Sequence, residues 1–411
     1  MLKRAGGHTV AWFGVLLAGW LWLVGGAEVA WGQVPVKPPG GGVEAPRGGF
    51  HMTPSLTVDE RYDNNILFTQ RKVEDYATDI EPRFVVTAEG RAVDLSANLG
   101  ARWTEFARNP KLSYFSSNGG LTLKADTLTG QMVQGLGLVV TDNYFYTKDF
   151  PVFAPVSGPN PVASGGIQTS RVTTFANVAG AKATYELSPR TKLTGDYTNS
   201  RYEFSGTTTP LFNSTINAWT AGTEHMLSPT TTLLGDYMYQ RFSFSRDGTL
   251  ETHGVDAGAR EKFKGDLTVD GRAGVTYLPS VSDRLTYTFN VGVTKKSATT
   301  DVEGRYIRAI ANSGGLAPLV TTQNIASLLV THRLTPAFTT TLAGFYATSK
   351  SIPVSTVDFR SYGVTPALSY ALAKWATVFT SYSYYKQEVL GAVGISLNRT
   401  QVTVGLTLTW Q

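Results

Sequence analysis

The sequence contains no cysteine. That excludes a disulfide scaffold, a thiolate metal centre, a cysteine nucleophile and a lipid-modified N-terminal cysteine. Charge is scarce: only 16% of the 411 residues are Asp, Glu, Lys or Arg, against about 25% in ordinary soluble domains. Histidine is limited to 5 positions, and no H-E-x-x-H, P-loop or G-x-S-x-G motif occurs. The Ala/Glu/Lys/Leu/Arg excess of long helical proteins is missing. Aromatic and β-branched residues are too abundant for a disordered chain. What the chain has instead is 53 Thr, 42 Gly, 19 Tyr and 20 Phe. These are strand and turn formers, so the composition leans all-β.

Residues 1–32 differ in character from the rest of the chain. Lys3 and Arg4 form a short positive end, and Val10 to Ala27 carries no charge. Ala30-Trp31-Gly32 puts small residues where a signal peptidase reads, predicting an export signal cleaved before Gln33. The rival reading is an uncleaved helix, because 18 uncharged residues can just span a bilayer. Residues 33–49 read as a Pro/Gly-rich periplasmic linker. No second apolar stretch approaches a transmembrane helix, and no basic run suits nucleic acid.

From Phe50 to residue 411 the chain alternates apolar and polar in blocks of about ten. Leu285, Tyr287, Phe289, Val291 and Val293 share one phase, and Thr286, Thr288, Asn290, Gly292 and Thr294 the other. Val402, Val404, Leu406, Leu408 and Trp410 repeat the pattern against Gln401, Thr403, Gly405, Thr407 and Thr409. A soluble sandwich turns the apolar phase inward; an outer-membrane barrel turns it to lipid. Block length favours the barrel, since sandwich strands are nearer 5–6 residues. Connection lengths favour it too. Short turns are expected at 89–91, 128–130, 188–191, 228–231, 264–266, 335–336 and 373–374, and longer loops at 63–75, 145–170, 205–213, 309–323, 350–356 and 387–396. Tyr144, Tyr202, Tyr239, Tyr277, Tyr346 and Tyr384 at strand ends suggest interfacial girdles. The expected fold is therefore an all-β transmembrane antiparallel up-and-down barrel of about 18 strands, with 16 as the neighbouring even count.

An internal repeat fits this reading. Residues 187–205 (LSPRTKLTGDYTNSRYEFS) and 227–245 (LSPTTTLLGDYMYQRFSFS) share 11 of 19 positions at a spacing of 40. Forty residues suit one hairpin with its loop and turn. A β-propeller has similar periods but needs several regular copies.

The residues that carry function in such a barrel are polar groups in the phase opposite the apolar stripe. Asp94, Arg102, Asp196, Asp236, Arg260, Lys262, Asp270 and Arg272 are the lumen-lining candidates. Their mixed signs suit a weakly selective polar pore or ion pairing along its wall. Arg201 and Arg241 share the phase of Tyr197 and Tyr237 and could reach lipopolysaccharide phosphate. Asp63-Asn64-Asn65 lacks the spacing and closing Glu of a calcium loop and reads as a turn. His225 and His332 lie beside turns at the inner end, the wrong place for outer-surface catalysis. No catalytic, cofactor-binding or metal residues are assigned, and the chain is not expected to be an enzyme.

Pro54-Ser-Leu56-Thr-Val58-Asp-Glu-Arg-Tyr62-Asp63-Asn64-Asn65-Ile66, with Asp79-Ile80-Glu81-Pro82 after it, resembles the outer-membrane β-barrel porin family associated with bacterial exopolysaccharide biosynthesis and export loci. The resemblance implies a Gram-negative outer membrane and a channel, with exopolysaccharide as a candidate cargo. It supplies no catalytic residues and no cofactor. Such barrels usually end on an aromatic that the assembly machinery reads, whereas here Gln411 comes after Trp410. The expected function is passive passage of polar solute or exopolysaccharide export. The alternative is a non-transporting barrel that anchors an envelope export complex. Expected partners are outer-membrane lipid and lipopolysaccharide, the barrel assembly machinery through the C-terminal strand, and exopolysaccharide or export-complex proteins; nucleic acid is not among them.

Overall fold

The computed structural model describes residues 49–149, 171–206, 211–245, 248–281, 284–315, 319–352, 358–390 and 394–410. The predicted signal, most of the linker and loop residues 150–170 lie outside these. Alternation produces strands throughout. The first six are β1 (Gly49–Asp63), β2 (Asp75–Glu89), β3 (Asp94–Phe106), β4 (Tyr114–Lys124), β5 (Leu136–Thr147) and β6 (Thr173–Ser188). Then come β7 (Thr191–Ser205), β8 (Ser214–Met226), β9 (Thr231–Phe244), β10 (Gly248–Phe263), β11 (Leu267–Leu278) and β12 (Arg284–Lys296). The last six are β13 (Thr300–Asn312), β14 (Val320–Arg333), β15 (Phe338–Ile352), β16 (Asp358–Ala373), β17 (Ala376–Val389) and β18 (Ile395–Thr409).

Each strand pairs antiparallel with its sequence neighbours in one 18-stranded sheet. β18 returns to β1, running from Ser55 opposite Thr409 to Asp63 opposite Gln401. The sheet is thus a closed barrel with no free edge, as a strand-built protein in lipid requires. The expected count of 18 holds. A barrel of this size is wider than its own wall side chains fill.

Connections alternate in length. Even strands mostly run into short turns and odd strands into longer loops, giving a turn end and a loop end, although β4 to β5 is long and β9 to β10 is short; both described chain ends lie at the turn end. The 187–205 and 227–245 copies each contain a turn and the rising strand after it, β7 or β9. Five connections differ from expectation. Three are additional links at the loop end, joining β3 to β4, β9 to β10 and β11 to β12. A further turn joins β12 to β13, where Ser297 N–H donates to Thr300 C=O. The 128–130 turn is instead a short helix, α1 (Asp126–Met132). Eleven residues between Lys124 and Leu136 are too many for a hairpin turn, and the Thr129 hydroxyl closes the segment by donating to Leu136 C=O at 2.7 Å.

The apolar phase faces out and stays exposed: Leu285 is 66% and Tyr287 62% accessible. Outward aromatics stack along rows across strands. Tyr197, Trp219, Tyr239 and His253 face one another on β7–β10, with ring centroids 5.2, 5.4 and 5.0 Å apart. One girdle expectation is corrected. Tyr202 is only 4% accessible and packs inside. It lies in the phase of Asp196 and Ser200 rather than that of Tyr197, and position near a strand end does not override phase.

Candidate functional site

The interior is built in zones. At the loop end lies an apolar collar. Phe145, Tyr202, Ile216 and Phe242 point inward from β5–β9 and form one buried cluster with Ile310, Val320 and Ile352, which lie in the outward register of β13–β15. Phe106 and Tyr114 continue it with Ile66 from the β1–β2 loop. Phe68 of the same loop packs on Tyr385, centroids 5.4 Å apart, from a left-handed backbone at φ 46°. This loop is fixed by its own sequence. Asn65 N–H donates to Asp63, and its side-chain amide donates to Thr69 C=O and to Asn398 C=O on β18, each at 2.9 Å. Asp63-Asn64-Asn65 is therefore a turn that folds the loop onto β18. Above the loop's other root, Glu74 accepts from the Tyr62 hydroxyl and from Arg108, and these bonds hold its carboxyl below the usual range.

Other loops meet over the mouth. Asn312 at the end of β13 donates to the Ser214 hydroxyl at the start of β8, 3.2 Å away. Four strands separate β8 from β13 along the wall, so this bond is a chord across the opening. Beside it, Phe212 N–H donates to Gly315 C=O at 2.9 Å.

Next to the collar, at the β18–β1–β2–β3 seam, the inward phase is ionic and buried. Arg399 donates to Asp63 from Nε and Nη2, at 2.8 and 2.6 Å. Arg61 lies 3.2 Å from Asp79. Thr104 donates to Asp79 and Arg102 to Glu81. Asp149, just past β5, accepts from the Tyr114 hydroxyl at 3.0 Å and lies 3.6 Å from Arg399. Such groups persist in a wall only when paired, because an unpaired buried charge costs several kcal/mol.

Toward the turn end the inward phase is polar and more open, and its two sides differ. β6–β13 carry charge, whereas the inward phases of β14 (Thr321 to Arg333), β15 (Thr339 to Ser351) and β16 (Phe359 to Ala371) are Ser, Thr, Gln, Gly and apolar residues, with Arg333 at the turn end of β14 as their one charge.

All eight charged positions singled out from the sequence fall in the inward register. Asp94 opens β3 near the turn end, and Arg102 belongs to the seam cluster. Asp196 faces Lys182 on β6. Lys262 faces Thr268. Asp236, Arg260, Asp270 and Arg272 enter ion pairs that skip a strand. Arg272 on β11 reaches Asp236 on β9, and Arg305 on β13 lies 3.6 Å from Asp270 on β11. Arg260 on β10 lies 3.4 Å from Glu224 on β8. Glycine makes the first two possible. Gly258 on β10 faces Arg272, and Gly292 on β12 faces Asp270 and Arg305. A Cβ on Gly292 would stand 2.7 Å from the Asp270 carboxylate and 2.8 Å from the Arg305 guanidinium. At these two crossings the intervening strand lacks a side chain and the charges meet over it, whereas Arg260 and Glu224 meet across Thr232 and Leu234 of β9.

Sequence reasoning missed the seam cluster apart from Arg102, and also Arg305, Glu224 and both bridging glycines. The signal was present for Gly292, which lies in the polar phase of the clean block 285–294, whereas the block around Gly258 is mixed, with Glu251 and Glu261 in its outward phase. Of the histidines, His225 and His332 each bond a threonine hydroxyl at the turn end, at 3.0 and 2.7 Å. His253 bonds the Tyr237 hydroxyl on the outward face at 2.8 Å. Among the described residues no group of three or more His, Asp or Glu side chains is arranged to hold a metal ion.

A family model described as "Putative beta-barrel porin 2" matches residues 38–143, which include β1 to β4 and the part of the seam that these strands supply. No curated protein matches the chain. Among solved structures, OccAB3 of Acinetobacter baumannii superposes with a TM-score of 0.44 at 11% identity, over 87% of this chain and 99% of its own. OccK5 (OpdH) of Pseudomonas aeruginosa gives 0.44 at 12%, over 88% and 98%. OpdQ of Pseudomonas aeruginosa gives 0.45 at 10%, over 88% and 98%. At this level of likeness no residue role is carried over from them.

Proposed function

We propose that the chain is a porin-like barrel of the Gram-negative outer membrane that passes polar solute passively through its lumen. The observation that carries this reading is the contrast between the faces of one closed wall. The outward face exposes apolar and aromatic side chains that lipid would cover. The inward face toward the turn end is charged on β6–β13 and hydroxyl-rich on β14–β16. Neither needs to be polar for stability, since an anchoring barrel can fill its interior with apolar groups. The eight inward charges would then tune ion preference, with their skip-strand pairs keeping the net field small.

Exopolysaccharide as the cargo rests on the resemblance of β1 and β2. The hydroxyl-rich wall of β14–β16 is compatible with a hydrated, hydroxyl-bearing solute. A second reading, a non-transporting barrel that anchors an export complex, is favoured by the Asn312–Ser214 chord and the apolar collar, which narrow the loop-end mouth.

Planar-bilayer recording separates the two. The purified protein in a lipid bilayer gives stepwise conductance if it is a channel. A flat trace from protein that migrates as a folded, heat-modifiable band would leave the anchoring reading standing alone.

A further inference from the structure

Three successive cross-strand rows cover the outward face of β13–β16. The row nearest the turn end joins Gly304, Leu328, Gly344 and Val364. The next joins Tyr306, Ala326, Tyr346 and Tyr362. The third, nearest the loops, joins Arg308, Asn324, Thr348 and Arg360. Apolar, aromatic and cationic layers therefore succeed one another along the barrel axis. This is the order of acyl chain, interface and headgroup in a leaflet. The same step recurs elsewhere: Arg241 comes after Tyr239, and Lys386 after Tyr384, each one outward position nearer the loops. The turn-end rim, by contrast, exposes Phe263, Leu334, Trp375 and Trp410.

Arg308 is held in place by neutral groups. Its guanidinium lies 3.9 Å above the Tyr287 ring centroid. Nε donates to Tyr287 C=O at 3.2 Å and Nη1 to the Asn324 side chain at 2.9 Å. Asn324 is itself fixed, accepting from the Tyr306 hydroxyl at 3.2 Å and donating to Thr348 at 3.0 Å. These contacts orient the fork without cancelling its charge, and an arginine has five N–H donors, so several remain for an anion. Arg360 is half-exposed, and the row continues from it to Glu388 on β17, 3.6 Å from Arg360 but held more closely by Lys386 at 2.7 Å. Three strand spacings of about 4.8 Å put the two arginine backbones about 14 Å apart.

We propose that this Arg308–Arg360 face binds the phosphate-bearing headgroup of an anionic lipid in the loop-side leaflet. A lipid fits better than free phosphate because the rows directly beneath are apolar and aromatic and accept its acyl chains. A headgroup with two phosphates can engage both arginines. The inference rests on the outer-membrane barrel reading.

The test inserts the full chain into phosphatidylcholine vesicles, with or without a bis-phosphorylated, acylated glucosamine disaccharide lipid. Native mass spectrometry then reads the lipid retained after solubilisation. The wild type is expected to retain the phosphorylated lipid about tenfold over phosphatidylcholine. R308A/R360A should insert equally well and lose that preference, and R308K/R360K, which keeps charge without the fork, should fall between. Equal retention by wild type and R308A/R360A overturns the proposal. So does full displacement of the lipid by millimolar inorganic phosphate. If R308A/R360A fails to insert, the lysine variant decides: retention equal to wild type would mean the arginine fork is not the binding group. Wild type that inserts without preference overturns this proposal alone, whereas wild type that enters neither vesicle sinks the barrel reading with it.

Discussion

Arg399 on the last strand and Asp63 on the first are joined by two charge-assisted hydrogen bonds across the barrel's closing seam, at 2.8 and 2.6 Å. Both are almost wholly buried. Removing Asp63 leaves Arg399 with the more distant Asp149, at 3.6 Å, and removing Arg399 leaves Asp63 with neutral donors such as Gln401. Breaking a buried pair costs about 3–5 kcal/mol. Asp63→Ala or Arg399→Leu should therefore lower the midpoint of thermal unfolding in detergent, tracked as loss of the compact gel band. The double variant should lose less than the sum of the two. A strictly additive double variant would show that the pair does not act as a unit.

The skip-strand pairs make a second expectation. Arg305 reaches Asp270 only because Gly292 has no side chain between them. Gly292→Val should separate the pair and raise the barrel's sensitivity to heat without altering its insertion. Asp236→Asn and Asp270→Asn each remove one negative charge from the lumen wall. At about 8 Å in water-like surroundings one charge is worth about 0.5 kcal/mol, so the anion-to-cation permeability ratio should rise about twofold. Reversal potentials in a salt gradient measure it. Arg272→Gln should move the ratio the other way, and a shift of the same sign from all three would contradict a lumen location.

Much of this is legible in the sequence. Leu285–Val293 and Val402–Trp410 alternate without interruption, so strand type, phase and the inward position of Asp270 and Arg272 come from period 2 alone. What alternation does not carry is partnership. Asp63 and Arg399 are 336 residues apart in sequence, and only closure of the sheet brings them together. Arg305 and Glu224 lie in the same polar phase as the chosen charges, but their importance comes from strands that are neighbours once removed. Tyr202 departs from expectation for a different reason: a place near a strand end suggests a girdle, but parity decides which face a side chain takes. The loop-end collar is hidden because Ile66 and Phe68 belong to a loop, where no period predicts an inward fold.

The two faces can be separated chemically. The chain has no native cysteine, so an introduced thiol reports without background. Cysteines at Asp94 or Asp270 should react with membrane-impermeant thiol reagents in reconstituted vesicles. Cysteines at Leu285 or Val404, on the exposed apolar face, should be protected by lipid and react only after solubilisation. The reverse pattern would mean a soluble β protein.

The mouth gives the last expectation. Asn312 and Ser214 bridge strands that are not neighbours, and Phe242 and Ile216 beneath them are completely buried. If the chain is a channel, this region sets its narrowest cross-section, and loosening it should enlarge the current. Asn312→Ala with Ser214→Ala removes the side-chain part of the bridge, leaving the backbone bond from Phe212 to Gly315, at a cost of about 1 kcal/mol, small enough to leave the barrel folded. Its unitary conductance should rise, or its closed intervals shorten. Phe242→Ala opens the collar itself, at about 3–5 kcal/mol, and should raise conductance further while lowering thermal stability. A larger conductance from Phe242→Ala together with no change from the bridge variant would assign the constriction to the collar alone. No change from either would move it elsewhere along the lumen, toward the seam cluster around Arg61 and Asp79.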